Sequence, residues 1–274
     1  MLTAADKELN AFLCSLEKFK GVDLSSYREN FLQRRLRSRM IATKSESLFH
    51  YLRILKKEPD EYKRFLGALS INVTEFFRDP DVFDLFRKNC LKDVIEKKEA
   101  CRHEIIRIWS AACASGEEAY SLAIIITEEL KTKIDNFKIR IWGTDIDKDA
   151  LEDAKNAEYG PHSLKEVGVE TLNRCFTNAG EGLYRLNGKV KEIVKFTQHN
   201  LITDAPLKYL DAIFCRNVMI YLKRQQQESL FENFYNALNP KGYLVIGKVE
   251  SILGAPKDLF IPVDLNKKIF QKRR

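Results

Sequence analysis

Apolar residues in the first 80 positions recur at helical intervals, with Leu32, Leu36 and Met40 in one run and Leu48, Leu52 and Leu55 in another. The stretch is also poor in Gly and Pro. The spacing predicts a small all-α domain over 1–80. Ser25 or Ser26 stands where it can cap a helix through about Met40, giving a basic helix over about 26–40. Glu58-Pro59-Asp60 marks a break before a helix ending near Ser70.

From Ile105 the pattern changes to short β-rich runs alternating with helical ones, the signature of a parallel sheet with crossover helices. Strands are predicted at Ile105–Ser110, Lys138–Gly143, Leu210–Cys215 and Tyr243–Gly247. Helices are predicted at Glu117–Lys133, Lys148–Ala157 and Arg224–Leu238, the last stopped by Asn239-Pro240-Lys241-Gly242. Residues 174–199 depart from this rhythm. The runs Leu183–Leu186 and Ile193–Gln198, separated by Gly- and Asn-bearing turns, predict a small antiparallel insertion.

An apolar content of 45% with 31% charged residues is that of a globular chain. No apolar run reaches the ~20 residues needed to cross a bilayer, so a cytoplasmic protein with no membrane insertion is expected. Six dispersed cysteines with no C-x-x-C pair, and four dispersed histidines, predict reduced thiols and no structural metal. The net charge of +7 is local: residues 27–57 hold nine Lys or Arg against Glu29 and Glu46. Arg28, Arg34, Arg35, Arg37 and Arg39 spread around most of the predicted helix, so some are available to an anionic partner. A solvated helix face is the competing reading.

The strand Ile105–Ser110 leads into Ala111-Ala112-Cys113-Ala114-Ser115-Gly116-Glu117-Glu118, small residues opening a helix. Such a turn lets backbone N–H groups approach a ligand closely. It lacks the G-x-G-x-x-G fingerprint. Two carboxylates there repel a pyrophosphate, yet one can hold the ammonium of a methionine moiety; complementing the helix dipole is the alternative. Asp145, at the end of the second strand, stands where an acidic side chain accepts ribose hydroxyls, whereas Asp147 is placed to cap the next helix.

Together with Trp109–Glu118, Thr144-Asp145-Ile146-Asp147 and Asn200-Leu201, two further motifs carry a family resemblance: Asn72-Val73-Thr74-Glu75-Phe76-Phe77-Arg78-Asp79-Pro80 and Phe214-Cys215-Arg216-Asn217-Val218-Met219-Ile220-Tyr221. Over nearly its whole length the sequence resembles the chemotaxis receptor methyltransferases, the CheR family. The resemblance implies an α/β fold: a Rossmann-like S-adenosylmethionine-dependent methyltransferase sheet over 81–274, with an antiparallel β subdomain at about 174–199. An all-α helical domain over 1–80 precedes it.

The resemblance further implies transfer of a methyl group from S-adenosylmethionine to receptor glutamate side chains, with S-adenosylhomocysteine as product, in sensory adaptation. By that likeness Asn72, Thr74 and Arg78 line the cofactor pocket, Arg78 near the methionine carboxylate or the reacting centre. Glu118 then meets the amino-acid portion, Asp145 the ribose, and Asn200 and Leu201 the adenine. Arg216, Asn217 and Tyr221 lie at the tip of the fourth strand facing the methyl group, and Arg78, Arg216 and Tyr221 are the expected catalytic set. Read without the family, Arg78 is an ion-pair partner of Asp79 or Asp81, and Tyr221 a half-buried core aromatic.

Two departures from the family pattern stand out: Ala119 where Pro follows Gly-Glu-Glu, and Lys248-Val249-Glu250 where His-Ser-Glu or Ser-Thr-Glu is usual. No function attaches to Glu250 from sequence. Expected partners are the cytoplasmic helical region of chemotaxis receptors, met by a monomer through the arginine-rich helix. The link Asn178-Ala179-Gly180-Glu181-Gly182 is shorter than in members that grip a carboxyl-terminal receptor tether, so no tether is expected. A nucleic-acid methyltransferase is disfavoured because Cys215-Arg216-Asn217 replaces the Pro-Pro or Pro-Cys motifs of those enzymes. A non-catalytic cofactor sensor need not keep Arg78, Arg216 and Tyr221 together, and a nicotinamide dehydrogenase is disfavoured by Glu117-Glu118.

Overall fold

The computed structural model describes residues 4–20, 23–69 and 74–273. They divide into two units, Met1–Ile71 with Tyr221–Gln227, and Asn72–Ile220 with Glu228–Arg274. The boundary therefore falls before Asn72 and not at residue 80.

In the first unit the helical spacing produces α1 (Ala4–Lys20), α2 (Glu29–Ala42), α3 (Leu48–Lys57) and α4 (Pro59–Leu69). Leu9, Phe12 and Leu16 of α1, Leu32 and Leu36 of α2, Tyr51 and Leu55 of α3 and Phe65 of α4 close one core. Ser47 caps α3, its Oγ accepting from His50 N at 3.1 Å. Neither Ser25 nor Ser26 caps α2, which starts at Glu29. The reason is a competing strand-like pairing. Tyr27 bridges Leu222, Arg28 N donates to Tyr221 O at 2.8 Å, and Ser26 O accepts from Lys223 N at 2.9 Å. Residues held extended by that pairing cannot also form a first helical turn.

One buried charge organises this unit. Glu61 is 2% exposed and accepts from Arg39 Nε at 3.0 Å and Tyr51 Oη at 2.8 Å. Burial favours its neutral form, but the bonds from Arg39 and Tyr51 outweigh burial and hold its pKa below the usual carboxylate range. Arg39 is thus committed to the core, which corrects its expected availability to a partner. Arg35 lies over the Phe31 ring, and Arg28 Nε donates to Leu222 O at 2.9 Å. Arg28, Arg34 and Arg37 remain exposed.

In the second unit a continuous helical run comprises α5 (Pro80–Leu85), a wide turn Phe86–Leu91 and α6 (Lys92–Ala100). There follow β1 (Ile105–Ala111), α7 (Glu117–Leu130), β2 (Lys138–Asp145), α8 (Lys148–Asn156), β3 (Glu158–Tyr159), α9 (Val169–Cys175), β4 (Phe176–Gly180), β5 (Leu183–Leu186), α10 (Gly188–Lys191) and β6 (Val194–Gln198). The chain continues with β7 (Leu210–Cys215), α11 (Arg224–Ala237), β8 (Leu238–Ile246), β9 (Phe260–Asp264) and β10 (Ile269–Lys272). The main sheet has the order β6-β2-β1-β7-β8-β10-β9. It is parallel from β6 to β8 and antiparallel from β8 to β9. Asn239–Gly242 breaks helix α11 as expected, and the same residues bulge from β8, whose pairing with β7 jumps from Leu238 to Tyr243.

The antiparallel insertion is narrower at one end than the sequence suggests. It is β3-β5-β4, drawing in Glu158–Tyr159, while Val194–Gln198 pairs in parallel with β2 as the edge of the main sheet. A period-two run states only that a strand exists; the partner is chosen by packing. Here Phe196 decides. Its ring lies against Gly143 of β2, where an added Cβ would come within 2.4 Å of Phe196 Cε1. Glycine on β2 makes the slot and Phe196 fills it.

Removing Arg39 strands the buried Glu61 carboxylate. Arg39→Ala should cost about 2–4 kcal/mol in urea unfolding, somewhat under the loss for a wholly buried pair because Arg39 is partly exposed. The neighbouring exposed Arg37→Ala should stay within about 0.5 kcal/mol of the parent. Equal effects for the two variants would mean that Glu61 finds another partner.

Candidate active site

The carboxyl ends of the central parallel strands carry the site. After β1 the chain reverses through Ala112, Ala114 and Gly116, with φ of 60°, 48° and 91°. Left-handed alanines cost roughly 1–2 kcal/mol each, so the turn must be held from outside. Cys113 N donates to Thr144 O at 2.9 Å, and Ala114 N to Asp145 Oδ2 at 2.9 Å. Asp145 Oδ1 also accepts from Asp147 N at 2.9 Å. Asp145 is therefore both the pin of the turn and a buried acceptor with lone pairs to spare, 7% exposed. Burial raises its pKa above the usual value while the backbone amides oppose that shift. Asp147 caps α8, accepting from Asp149 N at 3.0 Å.

The β2 end also collects the segment after β6. His199 N donates to Asp145 O at 2.9 Å, which sets the following turn beside Asp145. In that turn Asn200 Oδ1 accepts from Ile202 N and Asn200 N donates to Asp204 Oδ2, both at 2.9 Å. Leu201 follows, partly exposed.

A chain of charges joins β1, β7 and the segment before α5. Ser110 Oγ donates to Glu118 Oε1 at 2.7 Å, and Glu118 Oε2 lies 3.6 Å from Arg216 Nη1. Arg216 Nη2 pairs with Asp79 Oδ2, and the guanidinium sits 5.6 Å above the Phe83 ring. Lys248 Nζ lies 3.5 Å from Asp79 Oδ1 and 2.7 Å from Asp81 Oδ1. Burial raises the Glu118 pKa, while Arg216, the Ser110 hydroxyl and Arg78 pull the other way. The Arg216 side chain is only 2% exposed, yet its Nε–H has no partner among the described residues. Such an orphan buried donor is rare and calls for an acceptor.

Arg78 and Asp79 owe their placement to an unusual backbone. Phe77 and Asp79 have φ of 54° and 60°. Phe76, fully buried, donates its N–H to Ser163 O, and Phe77 N donates to Ser121 Oγ, each at 2.9 Å. The segment is thereby tied down where it enters the strained residues. Thr74 precedes it, partly exposed; Asn72 lies outside the described residues.

Tyr221 belongs with the helical unit, where its ring lies 4.8 Å from that of Phe31 and its carbonyl accepts from Arg28 N. The sequence marked Asp79 only as a partner for Arg78 and Lys248 only as a departure from the family pattern; the structure joins both to the Arg216 network. Their signal is weak: an Asp before Pro reads as a helix start. Glu117 is buried and accepts from Ser115 Oγ at 2.8 Å and Ser163 Oγ at 3.2 Å, so it knits the turn together.

This donor set fits a ligand with an amino-acid end and a ribose. Glu118 offers a carboxylate to an ammonium, Arg216 Nε an unused donor, and Asp145 free lone pairs for hydroxyls. The turn bearing Ala112, Ala114 and Gly116 presents backbone with little side chain in the way.

Residues 7–70 match the CheR methyltransferase all-alpha domain, and residues 72–269 the CheR methyltransferase SAM-binding domain. The chain is 33% identical over 238 residues to chemotaxis protein methyltransferase 2 of Vibrio cholerae, covering 85% of this chain and 81% of that protein. It is 30% identical to the chemotaxis protein methyltransferase of Listeria monocytogenes, covering 92% and 93%, and 32% identical to that of Salmonella typhimurium, covering 84% and 79%. With both domains matched in order and the β1 and β2 ends built as described, the chain belongs to the CheR family and is an S-adenosylmethionine-dependent methyltransferase.

Proposed function

We propose that the enzyme esterifies glutamate side chains in the cytoplasmic helical region of chemotaxis receptors, acting as a monomer. The observation that carries this reading is the balanced state of Arg216. When bound, S-adenosylmethionine supplies a sulfonium-activated methyl group. A glutamate is already ionised at neutral pH, so no residue has to remove a proton. The protein's task is to orient a carboxylate oxygen, and orientation can contribute about 7–11 kcal/mol. The orienting groups must not neutralise the carboxylate strongly, because its charge is lost in the transition state. Arg216, already paired with Asp79 and Glu118, meets that condition. Arg78, Arg216 and Tyr221 are assigned to orientation. Asn72, Thr74, Arg78, Glu118, Asp145, Asn200, Leu201, Arg216 and Asn217 are assigned to the cofactor.

Receptor docking is assigned to α2 and the residue before it through Arg28, Arg34 and Arg37, with Arg35 at the margin. Among the described residues no helix is long and apolar enough to cross a membrane. The β4–β5 link supports the absence of a tether: only Glu181 and Gly182 separate the strands, in a tight reversal with φ of 52° and 76°. Nucleic acid is not proposed as a partner.

Incubation with labelled cofactor and receptor-bearing membranes should yield base-labile label released as methanol; label that survives base would point to N-methylation and end this reading. Asp145→Ala should weaken S-adenosylhomocysteine binding by about 1.5–3 kcal/mol in calorimetry, the scale for losing a charged acceptor. An unchanged affinity would place the ribose elsewhere. Reversing Arg34 and Arg37 to Glu should reduce receptor methylation with cofactor affinity intact, and added salt should mimic the effect; normal methylation at physiological salt would return α2 to the role of a solvated face. Deleting the receptor's carboxyl-terminal tail should leave the rate unchanged, and measurable binding of the tail peptide with a large loss of rate would overturn the loop-length argument.

A further inference from the structure

Beyond β8 the chain folds back so that Glu250 enters the protein, 3% exposed, beneath the turn that follows β7. Oε2 accepts from Gly247 N at 2.6 Å and Asn217 N at 3.0 Å, and Oε1 accepts from Met219 N at 2.7 Å. Glu250 N donates back to Gly247 O at 2.9 Å, closing its own loop. The turn it grips is not one that the backbone adopts freely. Asn217 has φ of 62°, the left-handed conformation that asparagine tolerates better than most residues but that is still held here by bonds to its backbone. The grip is close on both sides. A Cβ at Gly247 would stand 2.9 Å from Asn217 N and 2.8 Å from Glu250 Oε2, so only glycine lets the end of β8 meet this turn.

We propose that Glu250 is a positioning residue for methyl transfer: its carboxylate collars the amides of Gly247, Asn217 and Met219 and so sets the Arg216–Asn217 turn. Arg216 is thereby aimed between Glu118 and Asp79, and Asn217 is held at the cofactor. The chemistry requires an acceptor with no donor, since the groups that bond it, the amides of Gly247, Asn217 and Met219 together with that of Val218, are all N–H. A glutamine of the same shape can turn its oxygen to the Gly247 and Asn217 amides or to Met219, and in either case its NH₂ faces another N–H. The inference rests on the assignment of Arg216 and Asn217 to the cofactor pocket. It goes beyond that assignment by making their placement depend on a carboxylate from a different strand end. A residue serving stability alone would leave the folded enzyme's constants unaltered.

The test is Glu250→Gln, with Asn217→Ala beside it. For E250Q, calorimetry should show S-adenosylhomocysteine binding weakened by about tenfold, the scale of one unsatisfied buried amide. Turnover on receptor membranes should fall at least as far, while KM for the receptor stays within about twofold, because α2 is untouched. If N217A weakens the cofactor and E250Q, still folded, lowers only the melting temperature, the inference is overturned. If N217A itself leaves cofactor affinity unchanged, the pocket assignment has failed, which is a separate outcome. Should E250Q not fold, the decision passes to Gly247→Ala, whose Cβ presses on Asn217 without altering any charge. It should reproduce the affinity and turnover losses, and parental values there would overturn the proposal.

Discussion

A guanidinium withdrawn almost wholly from water must be balanced where it lies, and in this protein much of the site follows from how that is done for Arg216. An unbalanced buried charge costs several kcal/mol. Balance comes from Glu118 at the start of α7 and from Asp79 before α5, two groups far apart in sequence. Each partner is itself placed by its surroundings: Glu118 by the Ser110 hydroxyl, and Asp79 by a left-handed backbone that follows the anchored Phe76 and Phe77. The pairing thus fastens the segment that carries Arg78 to the ends of β1 and β7. It also leaves Nε with no partner among the described residues.

The same economy of groups recurs at the neighbouring strand end. Asp145 bonds the amide of Ala114 and so holds a turn that its own alanines disfavour. The residue proposed to meet the ribose is thus the residue that shapes the turn around it. At the third strand end Glu250 repeats the device, a buried carboxylate accepting from backbone amides of a turn with positive φ. Carboxylates suit this work because they accept only, and several amides can converge on one of them. The structure therefore places strain in short turns and offsets it with buried acids that accept from the backbone amides of those turns.

Much of this was legible in the residues. Helical spacing located α2, α3 and α4, and β-rich runs located β1, β2, β7 and the end of β8, because burial imposes those periods on any chain. The small-residue turn and Asp145 were readable because close backbone approach and a strand-end carboxylate leave a compositional mark. Ser25 and Ser26 misled, since an available cap says nothing of the Tyr221–Lys223 segment that pairs with residues 26–28. Arg39 misled similarly: exposure of one arginine among five depends on whether a buried acid such as Glu61 lies opposite.

By itself, then, the sequence determined the alternation of elements, the division into an all-α and an α/β part, and the family, because each depends on local spacing or on motifs contiguous along the chain. Tertiary structure alone decided which partner each charge takes: Arg216 with Asp79, Lys248 with Asp81, Glu250 with the Asn217 turn, and Val194–Gln198 with β2 instead of the insertion. These choices join residues that the chain separates widely. A buried charge or a strand edge is satisfied by whatever the fold brings within reach, and that proximity has no counterpart in linear order.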